Sequence, residues 1–219
     1  MLGAMKIKTL LLSNLFAVVV TGLLSGCATP NYDKSAGTAV ALKQSSDLIA
    51  KGDVQIDVSL AALNDLLSNP QPDLRKQYDT FANSVDELSA TSADVAAKTK
   101  DMKAQGAAYF AGWDQESAQI QNEDIRSRSE TRRNEVAARF ARISAQYDDA
   151  RTAFQPYMSD LRDVQKFLST DLTSGGLAAI KDPATKATAD AVPLKELLNR
   201  LAVEFKGLGI AMSPRTPAS

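Results

Sequence analysis

Carboxylates are the one kind of catalytic group this chain carries in quantity. Glu116, Glu123, Asp124, Glu130, Glu135, Asp148, Asp149, Asp160 and Asp163 all fall within residues 116–163. Two carboxylates flanking a sugar bond can hydrolyse it without histidine, provided a walled pocket raises the pKa of one of them. Other chemistry is closed off by composition. The 219 residues include no histidine and one cysteine, which removes Ser-His-Asp and Cys-His catalysis, histidine metal ligands, thiolate zinc sites and internal disulfides. Gly175-Gly176 lacks the lysine and spacing of a phosphate loop, and Asp148-Asp149 does not make a calcium loop. The acids alternate with Arg126, Arg128, Arg132, Arg133, Arg139, Arg142 and Arg151, the pattern of a solvated helical face. The expectation is a protein that is not an enzyme, holding no metal and no cofactor.

A second constellation points to binding. Tyr109, Phe110 and Trp113 stand close in sequence to Arg126, Arg132 and Arg133. Aromatic rings and arginine on an exposed end make a candidate partner-binding site. The competing reading has the rings filling a helical seam, with arginines stacked over them as cover. Phe110 lies off the seam that holds Tyr109 and Trp113, so both readings can hold together. Nucleic acid is not expected as a partner. Net charge is -1, and without Lys6 and Lys8 of the leader the chain carries 23 basic against 26 acidic residues, whereas nucleic-acid binding needs concentrated positive charge.

The elements that would position these residues are helical. Leu74, Tyr78, Phe81, Val85, Leu88, Ser92, Val95, Thr99 and Met102 alternate at spacings of four and three, and the phase runs on through Gly106 to Tyr109, Trp113 and Ile120. A second series is clear at Val136, Phe140, Ile143, Tyr147, Ala150, Phe154, Leu161 and Leu168. Both are heptad seams of helices packed along their length. Ser92, Thr99 and Ser129 dilute the seam, which favours packing within one molecule. The phase slips by one residue between Ile120 and Ile125. Asn122 there can cap a helix whose first turn holds Glu123 and Asp124. The predicted fold is therefore all-α, an elongated helical bundle built on a long antiparallel coiled-coil hairpin that turns at Asn122 rather than at Gly106.

Around the hairpin, a first helix is expected from about Ser35, with Gly52-Asp53 a break or a tolerated interruption. Asn69-Pro70-Gln71-Pro72 ends it and Asp73 caps the next. Pro156 is expected to kink the returning arm or to open a new helix. A loop is expected over 170–176 and a short helix over 177–181. A last helix opened by Asp182-Pro183 follows, divided at Pro193 and ended by Gly207. In domain terms, residues 1–26 read as a leader, 27–34 as a tether, 35–207 as the helical domain and 208–219 as a disordered tail.

The leader has its own signature. Lys6 and Lys8 precede an uncharged run from Thr9 to Gly26 rich in leucine and valine, which is the layout of an export signal. The run ends in Leu24-Ser25-Gly26-Cys27. This stretch resembles the lipobox of bacterial lipoprotein precursors: an aliphatic residue, two small residues, then cysteine. The resemblance implies diacylglycerol transfer to Cys27, cleavage before it and acylation of the new amino terminus. Two or three acyl chains give a lasting membrane anchor, which one chain does not. Ala28 stands where aspartate would favour retention in the inner membrane, so the resemblance implies the periplasmic face of the outer membrane.

The second half of the chain resembles an uncharacterised bacterial family known only as a domain of unknown function. The resemblance rests on Tyr109-Phe110-Ala111-Gly112-Trp113, Arg126, Ser129, Arg132-Arg133, Phe154-Gln155-Pro156, Leu161-Arg162-Asp163 and Leu168-Ser169-Thr170-Asp171-Leu172-Thr173. It reaches from about Lys43 to Phe205, implies a helical fold and lends no activity. The expected role is a membrane-anchored spacer, scaffold or adaptor that binds another envelope protein. The alternatives are a lipid or amphiphile carrier and a histidine-free glycan hydrolase.

Overall fold

The computed structural model describes residues 30–214, and within them every regular element is a helix. The leader, Cys27 and residues 215–219 of the tail lie outside the described residues. The elements are α1 (Asn31–Ser68), α2 (Arg75–Ser117), α3 (Glu123–Thr170), the short α4 (Ser174–Ala179) and α5 (Lys181–Met212).

The four long helices form an up-down-up-down bundle. α1 packs on α2 and α5, and α3 packs on the same two, while the backbones of the diagonal pairs stay farther apart. The seams read from sequence explain the α2–α3 pairing. Phe81, Val85, Leu88 and Met102 of α2 and Ile143, Leu161 and Leu168 of α3 are all essentially inaccessible. Lys103 pairs with Asp148 at 2.9 Å and Arg133 with Asp114 at 2.8 Å, which fixes the antiparallel register. α5 is set against α1 by Ser46 Oγ donating to the Ala202 carbonyl at 2.8 Å.

The core has two parts. One gathers Ile56, Leu63 and Leu66 of α1 with Phe81, Leu88, Leu161, Leu168, Leu177 and Leu194 at the end that holds α4. The other gathers Leu42 and Ile49 with Met102, Tyr109, Phe140, Ile143, Phe205 and Leu208 at the opposite end. Buried hydroxyls lie along the interior, among them Ser45, Ser46, Ser59, Thr91 and Thr99.

The turn falls where the phase slip places it. α2 ends at Ser117, α3 starts at Glu123, and the Asn122 side chain accepts the Ile125 amide at 3.1 Å. Gly106 is an ordinary interior position of α2.

Several expected boundaries differ. Asn31 to Lys34 are helical, so the tether is shorter than expected. Gly52 does not break α1. Leu74, not Asp73, is the N-cap of α2, with Asp73 one position earlier and its Oδ1 accepting the Arg75 amide at 3.1 Å. α3 continues through Pro156, and α5 through Pro193 and Gly207 to Met212. Both prolines are exposed, as are residues 152 and 189, whose carbonyls lose their helical donors and can turn to water. The loop after α3 narrows to residues 171–173, and the short helix begins at Ser174 because Thr173 accepts the Gly176 amide at 3.1 Å as its cap. Pro183 lies in the first turn of α5, where its missing donor costs nothing. Ile180 rather than Asp182 is the N-cap.

Candidate functional site

The aromatic and arginine residues do converge, at the α2–α3 turn. Arg126 ties the turn together, donating to the Ile120 carbonyl at 3.3 Å and pairing with Glu123. Tyr109 contacts Phe110 and Trp113, with ring centroids 5.2 and 5.4 Å apart, and Phe110 meets Phe140 edge-on at 5.6 Å. Tyr109 is buried in the core. Burial pushes its phenol pKa up, opposed by its bond to Ser35 and by the charge of Arg132. Trp113 donates its indole N–H to Ser129 Oγ at 2.8 Å, and Ser117 bonds the same hydroxyl at 2.7 Å. Arg133 lies over the Phe110 ring at 5.4 Å while bound to Asp114. Arg132 is the open member, paired with Glu135 at 3.2 Å on the surface. The rings thus fill the seam and Arg133 covers them, which leaves Arg132 and the rim of Trp113 as the solvent-facing part.

This turn shares an end with the start of α1 and the end of α5. The Asn31 amide donates to Glu116 Oε1 at 3.2 Å, and Ser35 donates to the Met212 carbonyl. The aromatic end is therefore the end at which α1 starts, and in the sequence Cys27 stands four residues before Asn31. The far end consists of the 69–74 and 171–173 connections and α4. A groove there is lined by Leu67, Pro70, Pro72, Leu74, Leu172 and Leu177, with Arg75 and Lys181 at its rim.

The carboxylates sit among bases on the outside. Asp148 pairs with Lys103, Asp160 and Asp190 with Lys186, and Glu204 with Arg142. The two carboxylates raise the Lys186 pKa by hydrogen bonding, Asp160 most. Among the described residues no three acidic or cysteine side chains come together as a metal site. Midway along the bundle, where the two halves of the core meet, a mainly apolar cavity of about 70 Å³ is lined by residues of all four long helices, including Ile49, Val95, Tyr147, Phe154 and Leu198.

Residues 34–204 match the protein family DUF2959, a family of unknown function. The chain belongs to the DUF2959 family. Neither the comparison with curated proteins nor that with solved structures gives a match. The family match takes in the α2–α3 turn, the cavity and nearly the whole bundle of this DUF2959 protein. It leaves out Cys27 and the last two turns of α5.

One surface of this DUF2959 protein was not singled out from the sequence. Val40, Val54 and Val58 of α1 and Val192, Val203 and Ile210 of α5 are exposed. The available signal was α1 itself, where valines fall outside the Ile56, Leu63 seam. A helix apolar on more than one side has more than one neighbour to meet. No described helix is long and apolar enough to cross a membrane.

Proposed function

We propose that this protein is a non-catalytic spacer, scaffold or adaptor that binds another envelope protein. Lipid on Cys27 holds it at the periplasmic face of a membrane, the outer in preference to the inner. The observation that carries the reading is the placement of the chain start on an unbroken rod. α3 alone has 48 residues, about 72 Å at about 1.5 Å per residue. α1 begins four residues after Cys27 at one end of that rod. A lipid on Cys27 would hold the bundle by this end and present the α4 end, tens of ångströms away, to the rest of the envelope. The Tyr109, Phe110, Trp113, Arg126, Arg132 and Arg133 group would then face the membrane side, and a partner bound there would lie close to the bilayer.

The carrier alternative has less support. The cavity between the four helices, about 70 Å³, is well below the ~300–1,000 Å³ of ordinary ligand pockets, so an acyl chain would enter the bundle only if the helices parted, and the larger spaces of about 460 to 820 Å³ are open grooves on the surface. The glycan-hydrolase alternative needs a walled pair of carboxylates, and the acids of residues 116–163 lie on the surface among bases. Photo-crosslinking residues placed along the rod in cells test the reading. Repeated capture of one envelope protein at the α4 end or at the turn is the expected result. Long-lived lipid co-purifying with the protein, without any captured protein, would replace the adaptor by the carrier.

A further inference from the structure

The large exposed apolar side chains are unevenly distributed. Among the described residues, Tyr32, Val40, Val54 and Val58 stand on α1 and Val192, Val203 and Ile210 on α5, against Ile125 and Phe167 on α3 and none on α2. At about 100° per residue, Val40, Val54 and Val58 point within about 40° of one another, and Val192, Val203 and Ile210 within about 20°. Val40 and Ile210 line one groove with Ala36, Ala39, Lys43 and Lys206. The two stripes therefore belong to a single face spanning α1 and α5.

The spacing along that face is self-complementary. α1 and α5 run antiparallel, with Gly209 against the Ala39 carbonyl, Ser46 bonded to Ala202 and Asp57 paired with Lys195. Val40 is thus nearly level with Ile210, and Val58 with Val192. The interval from 40 to 58 equals that from 192 to 210. A two-fold axis parallel to the helices would set α1 of each copy against α5 of the other without changing any level. Val40 would meet the second copy's Ile210, and Val58 its Val192. Val203 would enter beside Asp47, whose carboxylate is paired with Lys43 at 2.6 Å in one copy, and Lys206 of the entering helix would join that pair.

We propose that the α1–α5 face docks a second copy of this chain in that parallel, two-fold arrangement. The face from Ala36 to Ala61 is about 38 Å long and two helices, about 18 Å, wide. It offers roughly 700 Å² per copy, about 1,400 Å² over both, above the ~1,000 Å² total that a specific interface needs. Both copies would point their Asn31 ends the same way, which suits two chains held in one membrane, although the pairing does not rest on the anchor.

The test uses two differently tagged forms of the full chain made in one cell. A photo-crosslinking residue at Val203 should join the two forms, with the attached peptide coming from α1 near Asp47. The same residue at Asp94, exposed on α2, should not. With the probe kept at Val203, Val54→Glu with Val192→Glu should cut the yield at least about tenfold, while the purified variant keeps its helicity because both valines are solvent-facing in one copy. Crosslinks from Val203 only to other proteins or to lipid, equal yields at 94 and 203, or a yield unchanged by the two glutamates would each overturn the proposal.

Discussion

Two glycines inside long helices should respond to alanine in opposite directions. In a helix interior, Gly→Ala is worth about 0.5–1 kcal/mol from backbone entropy and propensity alone. At Gly52 nothing stands in the way, since a Cβ there would lie 3.9 Å from Thr91 Cγ2. Gly52→Ala should raise the melting temperature by about 1–4 °C for a domain of this size. At Gly106 a Cβ would lie 2.7 Å from Phe140 Cε1 and 2.8 Å from Cε2. That ring is held by Phe110, which Arg133 covers. Overpacking costs about 1–3 kcal/mol, which outweighs the propensity gain. Gly106→Ala should therefore lose about 0.5–2 kcal/mol and melt about 1–8 °C lower. Phe140→Leu removes the ring edge, so in that background Gly106→Ala should become neutral or stabilising, with a coupling of about 1–2 kcal/mol. Thermal and urea unfolding followed by circular dichroism read the wild type and all four variants. If Gly106→Ala stabilises as much as Gly52→Ala in the wild-type background, Phe140 does not seat on Gly106 and the α2–α3 register is wrong.

Tyr157 is buried, its pKa is raised by burial and then by the Asp57 charge, and its hydroxyl has no partner among the described residues. Tyr157→Phe should therefore leave stability unchanged or raise it by about 1 kcal/mol, and a loss of 2 kcal/mol in urea unfolding would show that the hydroxyl is bonded. Asn122→Ala removes the cap on α3 and should cost about 1 kcal/mol, whereas no change in melting temperature would place the helix start elsewhere. The bond from the Arg75 side chain, and then that from its amide, lower the Asp73 pKa to about 2. A depressed carboxylate stabilises above its ordinary pKa and loses that contribution as pH falls through the folded value, so any Asp73 effect on unfolding should lie between about pH 4 and 2. In Arg75→Met the carboxyl should titrate nearer its ordinary value by NMR, and an unmoved titration would mean that the pair does not form in solution.

The hairpin was legible because α2 and α3 each turn one narrow apolar stripe to the bundle interior, so the four-three spacing survives from Leu74 to Met102 and from Val136 to Leu168. The slip at Asn122 marked the turn because a cap and an acidic first turn coincide there. The outer helices were harder to read. α1 packs closely on both of its neighbours, α2 and α5, so its buried residues spread beyond a single stripe, and Gly52 interrupts a pattern that packing sustains. Pro156, Pro193 and Gly207 carry breaker chemistry, but the two prolines lie on solvent-facing turns and all three positions are held in helix by contacts elsewhere along α3 and α5. The candidate site was legible as a cluster. The seam spacing already offered Tyr109 as a filled position with arginine cover, whereas the choice of Arg133 over Phe110 depends on Phe140 from the other arm, which sequence spacing alone does not specify. The α1–α5 face was hidden because it requires knowing that the first and last helices are neighbours.

The most direct test of the account is the mass of the amino-terminal peptide of protein isolated from its own membranes. The account predicts a chain that begins at Cys27 and carries a diacylglycerol and an amide-linked acyl group, and a Cys27→Ser variant that is soluble or retained as the uncleaved precursor. A wild-type chain that begins elsewhere, or begins at an unmodified Cys27 and fractionates with soluble protein, would contradict it.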